Sequence, residues 1–314
     1  MVKYVKCFII IERRYKSILY FYNKYMKIYQ KKDLKDFTSF KIGGPADIIA
    51  EPKDLSELVK LINYLRKNYI KIYILGNGTN LLVSDKGVRG CVVHIGSNIS
   101  NIRVIGNNKI EAQAGALMSD ISEFALKNKL GGFEELSGIP GSIGGAVAMN
   151  AGAYDKEIKD IFSTANVINE VGKTIKLSKD AMDFSYRKSA VLDKGYIITS
   201  VTLNLQESDK ETIKNKIEKY TELRRKKQPI DYPSAGSVFK RPEGKFASLL
   251  IKDSNLMGES IGGAEVSTLH AGFIVNKGNA KANDVYKLIN KIKEDVKIYF
   301  NVELEPEIKL WGKF

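Results

Sequence analysis

Between Asp54 and Lys67 the apolar residues Leu55, Leu58, Val59, Ile62 and Leu65 recur at intervals of three and four, which places them on one face of a helix. Asp54 and Glu57 form a capping-box pair that opens it. The run KIYIL then reads as a buried strand; it stops abruptly in GNGTN, and a second apolar run follows. Short β-rich runs come next, in GCVVHI, IRVI and KIEAQAG, with turn residues between them. Over SDISEFALKNKLGG the period returns to that of a helix, with Gly131 or Gly132 placed to end it. Strand-like runs occupy 164–177 and 196–205, and a helix with Ile213, Ile217, Tyr220 and Leu223 on one side closes in LRRKKQP. Beyond Ser237 the pattern predicts a helix near 245–252, a glycine loop GESIGGAEV, a strand AGFIVN, a helix over 282–299 and a strand VELEPEIKLW. This order predicts an α+β chain that changes module near residue 206, without internal repeats.

Side chains nearly vanish in ELSGIPGSIGGAVAMNAGAY, residues 135–154. A flexible linker does not interleave Ile, Val and Met with its glycines, so a buried loop, or a loop leading into a short helix, is expected, with backbone lying close to something large. GNGTN and GIPGSIGG stand about 60 residues apart at the ends of apolar segments. Backbone N–H groups in such loops can cradle a pyrophosphate without side-chain charge. Neither loop matches the Rossmann fingerprint or the P-loop. Together they predict an extended dinucleotide across the domain, and FAD is the largest common candidate.

The 314 residues carry a net charge of +14, and nine Lys or Arg face the single acid Glu12 within residues 1–32. That stretch reads as a basic, helical or disordered extension, and activity is expected not to need residues 1–30. Its readings are a solvated tail, a start codon placed too early or a membrane-surface helix. The main body shows no basic stripe interleaved with aromatics, so no nucleic-acid partner is expected. The run CFIII is too short for a signal-peptide core, and no segment approaches the roughly 20 apolar residues of a membrane span. Cys7 and Cys91 are too few for a disulfide framework or a zinc site, which fits a reducing cytosol.

Ser237, in YPSAGSVFKRPEG, invites a reading as a nucleophile, which needs an oriented base. Only His94 and His270 are on offer, both read as packing residues, and the second glycine of the hydrolase elbow is missing. A hydrolase is disfavoured, and a plain turn serine remains open.

TSFKIGGPAD (38–47), LGNGTNLLVSDKGVRG (75–90), SGIPGSIGGAVAMNAGAY (137–154), FSYRKS (184–189), PSAGSVFKRPEG (233–244), IGGAEVSTLHAGFIVN (261–276) and LEPEIKL (304–310) resemble, in this order, the UDP-N-acetylenolpyruvoylglucosamine reductase family. The resemblance runs from about residue 33 to the C-terminus. It implies an FAD-binding domain of the vanillyl-alcohol oxidase type over 33–206, with subdomains of about 33–95 and 96–206. A substrate-binding α+β domain would follow over 207–314, its last strand reaching the active site. It implies that NADPH reduces non-covalently bound FAD, which passes hydride to the enolpyruvyl group of a UDP-sugar. The cofactor positions carried over are Leu75, Gly76, Asn77, Gly78, Thr79, Asn80 and Leu81 from the first loop. From the second come Ser137, Gly138, Ile139, Pro140, Gly141, Ser142, Gly144, Gly145, Ala146, Asn150, Gly152 and Ala153.

Hydride adds to an electron-rich enol ether only when the adjacent carboxylate is polarised to accept charge. The resemblance gives that work to Arg187 and Glu307, and makes Ser237 a proton donor. Lys227, Lys240 and Arg241 would face the diphosphate, although the family often has asparagine where Arg241 stands. The segment between Arg187 and Ser237 lacks a long tyrosine-bearing insertion, as in the shorter subtype of the family. A cytoplasmic monomer or weak oligomer is implied. The rivals are another flavin oxidoreductase of the same fold, acting on a sugar or lactone, and a binding protein without turnover.

Overall fold

A computed structural model describes residues 26–314. Ala46–Glu51, Val88–His94 and Ile72–Leu75 form a parallel set, and Lys27–Gln30 adds an antiparallel edge strand beside Ala46–Glu51. The helix Leu55–Lys67 buries Leu58, Leu61, Ile62 and Leu65. Leu55 and Val59 flank that stripe, only partly buried. At its start Asp54 Oδ1 accepts from Glu57 N at 2.8 Å, while the Glu57 carboxylate reaches past the cap to Lys53 N at 2.9 Å. The edge strand corrects the expected extension: its basic composition hid KIYQ, whose backbone pairs from Lys27↔Glu51 to Gln30↔Ile48, with Met26 buried beneath. Residues 1–25, Cys7 and Glu12 included, lie outside the described residues.

A five-stranded antiparallel sheet follows, in the order Thr174–Ser178, Phe162–Ile168, Ile197–Asn204, Lys109–Gln113, Ile102–Val104. One apolar core joins it to the first sheet through Ile48, Val93, Ile110, Val167 and Val201. The helix Met118–Lys127 ends earlier than the glycines suggested: Asn128 caps it, and Lys129 takes the left-handed turn at φ 56°. Gly131 instead pairs with Gln206 in a short ladder. The small-residue segment leads into the helix Ile143–Ala148, as its mixed composition predicted. Gly144 seats that helix, since a β-carbon there would stand 2.9 Å from Cβ of Ala114.

The helix Lys210–Lys227 is polar around most of its circumference, burying only Ile213. It leans on Met118–Lys127 and on the turn 134–136. A third sheet follows, in the order Ser234–Ser237, Phe273–Asn276, Ala264–Val266, Ser260–Ile261. The helix Ala282–Phe300 lies against it through Val285, Leu288, Ile289, Ile292 and Val296, the three-and-four spacing of a helix buried along one stripe. This second core also takes in Phe40, Ile42 and Leu82 from the first half of the chain. Ser39 Oγ donates to Ser234 O at 2.6 Å and Asn276 Nδ2 to Phe40 O at 3.1 Å, so the two units are hydrogen-bonded together.

The expected strand VELEPEIKLW shrinks to Lys309–Trp311, which joins no strand of its own module. It pairs in parallel with Leu81–Val83, immediately behind the first glycine loop. Upstream, Pro306 has no N–H to extend a ladder, and the chain makes single bonds on either side of it, Lys240 N to Glu305 O and Glu307 N to Val238 O. The architecture is α+β, as expected. Among the described residues no helix is long and apolar enough to cross a membrane. Cys91 is buried, and burial pushes its thiol up to about 12.

Candidate active site

The two glycine loops face each other. A β-carbon on Gly76 would lie 2.3 Å from Oγ of Ser142, and Asn77 Nδ2 donates to Pro140 O at 2.6 Å. Gly78 adopts φ 63°, and a β-carbon there would stand 2.1 Å from Phe37 O, a place no side chain fits. Between the loops and the third sheet opens a cavity of about 520 Å³, within the range of small-molecule sites. All of 75–81 lines it, together with Ile139, Pro140, Gly141, Ser142, Gly145, Ala146, Gly152 and Ala153.

Four of the expected cofactor residues lie behind that wall. Ser137 Oγ donates to Glu134 O, Gly138 packs under Arg224, and Gly144 abuts Ala114. Asn150 is fully buried and holds three strands of loop: its Nδ2 donates to Ser185 O at 3.0 Å and to Glu157 Oε2 at 3.1 Å, and its Oδ1 accepts from Lys159 N at 3.0 Å.

Arg187, Ser237 and Glu307 all line the same cavity, though they come from three separate parts of the chain. Arg187 sits at a tight turn closed by paired backbone bonds between Ser185 and Lys188, and it takes φ 56°. That left-handed conformation is uncommon for a non-glycine residue and aims the side chain across the cavity. Its Nε donates to Glu307 Oε1 at 2.9 Å, and Nη2 donates to Gly152 O at 3.3 Å. The guanidinium also rests over the Tyr186 ring, 4.8 Å from its centroid.

Glu307 is positioned by its own backbone, whose N donates to Val238 O at 2.7 Å and whose O accepts from Asn80 Nδ2 at 3.3 Å. Burial raises the pKa of its carboxyl, with Arg187, Lys240 and Lys309 pulling the other way. Ser237 ends a strand distorted between Ser234 and Ser237, where Gly236 turns at φ 77°. Its side chain is exposed to the cavity.

The three expected diphosphate residues part company. Arg241 lines the cavity, its guanidinium 4.3 Å from the Phe246 ring centroid and its backbone N donating to the Tyr186 hydroxyl at 3.2 Å. Lys240 turns away to pair with Glu305. Lys227 is exposed at the end of its helix and does not reach the cavity wall. His94 holds Glu51 at 2.9 Å and meets the edge of Phe37, away from the site. His270 does face the cavity; its Nδ1 accepts from Gly272 N at 3.1 Å, its ring stands edge-on to Phe273, and burial lowers its pKa. Sequence reasoning also passed over Tyr186, Arg224, Gln228, Phe246 and Trp311 in the wall. For Tyr186 a signal existed, its place beside Arg187 in FSYRKS; for Arg224, within a run of four basic residues, none did.

The wall suits a dinucleotide. β-carbons on Gly141 and Gly145 would meet nothing in the protein closer than 3.6 and 3.8 Å, so both glycines open onto the cavity. The paired loops present backbone N–H groups of the kind that hold a diphosphate.

Residues 46–178 match the family described as FAD binding domain, and residues 228–311 match the family described as UDP-N-acetylenolpyruvoylglucosamine reductase, C-terminal domain. A UDP-N-acetylenolpyruvoylglucosamine reductase of Caldanaerobacter subterraneus subsp. tengcongensis is 51% identical over 287 residues, covering 91% of this chain and 94% of the relative. One from Clostridium novyi is 48% identical over 280 residues, 89% of this chain and 91% of the relative. The crystal structure of UDP-N-acetylenolpyruvylglucosamine reductase from Thermus caldophilus superposes with a TM-score of 0.79 at 33% identity, covering 91% of this chain and 99% of that one.

Fold and site define an FAD-dependent oxidoreductase whose flavin-binding half is closed by a second α+β unit. The glycine loops, the Arg187–Glu307 pair and Ser237 occupy one cavity between the two. The chain belongs to the UDP-N-acetylenolpyruvoylglucosamine reductase family.

Proposed function

We propose that this protein reduces UDP-N-acetylglucosamine enolpyruvate to UDP-N-acetylmuramate, with NADPH as hydride donor, in the synthesis of peptidoglycan precursors. The observation that carries the reading is the Arg187–Glu307 pair, set in the same cavity as Ser237 and both glycine loops. Bound FAD, which the loops 75–81 and 139–146 would hold, would supply the redox chemistry that carries hydride from NADPH to the terminal carbon of the enolpyruvyl group.

The chain's own residues manage the charge and the proton. Addition of hydride to the CH2 carbon leaves an electron pair on the neighbouring carbon, delocalised into the carboxylate. Arg187 stays charged throughout and stabilises that second negative charge; Nε and Nη2 are committed to Glu307 and Gly152, so the guanidinium plane is preset. Glu307, with its raised pKa, can share a proton with the same carboxylate. Ser237 Oγ gives its proton to the carbanionic carbon, forming the new C–H bond, and its exposed oxygen regains a proton from water.

Residues 33–206 would carry the flavin and 207–314 cover the sugar nucleotide, with the helix Lys210–Lys227 packed on the first of them. Arg241 fits the diphosphate best of the three expected cations, since it alone lines the cavity. A cytoplasmic protein, monomeric or weakly associating, completes the reading.

The test is anaerobic. NADPH is added to the FAD-loaded protein and the flavin band near ~450 nm is followed, then UDP-N-acetylglucosamine enolpyruvate is added. Bleaching followed by recovery is expected, and Ser237→Ala should bleach normally but recover about 10²–10⁴-fold more slowly. Bleaching of the wild type without recovery would reject this substrate, and absence of bleaching would reject the NADPH reaction.

A further inference from the structure

Arg224, a cation of the cavity wall, has no counterion among the described residues. Arg224 lies in the last turn of the helix Lys210–Lys227 amid a basic run whose other members face outward: Lys226 pairs with Glu222 on the helix surface, and Arg225 and Lys227 are exposed. Arg224 alone turns inward and lines the cavity. It covers the start of the second glycine loop, with Cδ and Nη1 at 3.2 and 3.6 Å from the place a β-carbon on Gly138 would take. Among the described residues it forms no ion pair and donates no side-chain hydrogen bond. Burial lowers its pKa, and the polar group that acts on it is Tyr154, whose hydroxyl is already donated to Tyr220 O at 3.1 Å.

A desolvated guanidinium without a partner is unfavourable, and its planar fork matches phosphate oxygens. In the neighbouring loop Ile139 N is donated to Leu136 O and Pro140 has no N–H, so Ile139–Gly141 offers one backbone donor, on Gly141, and no charge, whereas a diphosphate is strongly anionic at neutral pH. Of the other arginines of the wall, Arg187 is paired with Glu307, and Arg241, assigned above to the UDP diphosphate, lies over Phe246. We propose that Arg224 is the side-chain cation that holds a phosphate of the nucleotide lying along the second glycine loop. The proposal rests on the FAD and UDP-sugar reading above, and the phosphate belongs either to the flavin dinucleotide or to the UDP moiety.

Arg224→Met removes the charge and keeps most of the stem; Arg224→Lys keeps the charge and loses the fork. The full-length protein, stripped of flavin, is titrated with FAD and with riboflavin by flavin fluorescence, and the FAD-loaded protein is titrated with UDP by the shift of its visible spectrum. Arg224→Met is expected to weaken either FAD or UDP tenfold or more, Arg224→Lys at least threefold, with riboflavin, which has no phosphate, unchanged. Loss on FAD assigns the cofactor diphosphate, and loss on UDP assigns that of the substrate. FAD and UDP affinities within twofold of wild type in folded Arg224→Met overturn the proposal; should that variant not fold, the same result in Arg224→Lys overturns it. Failure of the functional reading looks different, because the wild-type chain would then bind neither nucleotide.

Discussion

Arg187 Nε lies 2.9 Å from Oε1 of Glu307, 120 residues further along the chain. The pair is half the site, and it sets up a measurable imbalance. Burial raises the Glu307 pKa despite the arginine beside it, so ionised Glu307 is less favourable in the folded protein than in the unfolded chain. Stability from this group is fully present below the ordinary carboxyl value of 4.5 and is lost as pH rises through the folded value. Glu307→Gln mimics the protonated form. It is therefore expected to melt at or above the wild-type temperature at pH 7, with the gap closing as pH falls toward 4.5, while turnover drops about 10²–10³-fold. Thermal melts at both pH values check the sign, and a variant markedly less stable than wild type at pH 7 would contradict it.

The glycine loops predict opposite outcomes for two similar substitutions. In Gly76→Ala the new methyl meets Ser142 Oγ at 2.3 Å, so the loops must part; a cost of about 1–3 kcal/mol in stability is expected. Adding Ser142→Ala removes the obstructing hydroxyl and should return part of it. In Gly145→Ala the methyl meets nothing in the protein closer than 3.8 Å and points into the cavity. That variant should keep its unfolding temperature and lose affinity for FAD. Calorimetry and flavin titration on the three variants separate the cases.

Much of this was legible because it is local. The glycine loops announce themselves by composition, and the helices Leu55–Lys67 and Ala282–Phe300 by apolar spacing. What the sequence hid is long-range. Nothing in KLW says that it pairs in parallel with LLV more than two hundred residues earlier, because parallel register leaves no local turn to read. Arg224 and Lys227 sit in one basic run on a helix with little apolar stripe, so periodicity could not say which of them faces inward. Lys129 reaches the left-handed turn that a neighbouring glycine seemed made for, since the ladder with Gln206 and Glu207 claims Leu130 and Gly131.

Asp85 caps a helix from the other half of the chain. Its two carboxylate oxygens accept from Ala282 N at 2.8 Å and Asn283 N at 3.0 Å, the first free donors of Ala282–Phe300. This is an N-cap supplied across the junction of the two units, and it also places a negative charge at the positive end of the helix dipole. Asp85→Ala should cost about 0.5–2 kcal/mol, as lost caps do. Asp85→Asn keeps one acceptor oxygen and should fall between. Urea denaturation of the FAD-free protein reads both, and an unchanged midpoint for Asp85→Ala would show that the cap is idle.

The edge strand Lys27–Gln30 fixes how far the N-terminus can be trimmed. A chain that begins at Met26 keeps the ladder to Ala46–Glu51 and the buried Met26 side chain, which is 3% exposed. One that begins at Lys31 loses both and bares a parallel sheet edge. Deleting a buried methionine alone costs about 2–5 kcal/mol. At roughly 2–4 °C per kcal/mol for a chain of this size, the shorter protein should melt roughly 5–15 °C below the one starting at Met26. Neither truncation touches the cavity wall, so both should bind FAD at low temperature. Equal melting temperatures for the two would mean that the strand contributes nothing, and the expectation of a dispensable segment would then hold in full, through residue 30.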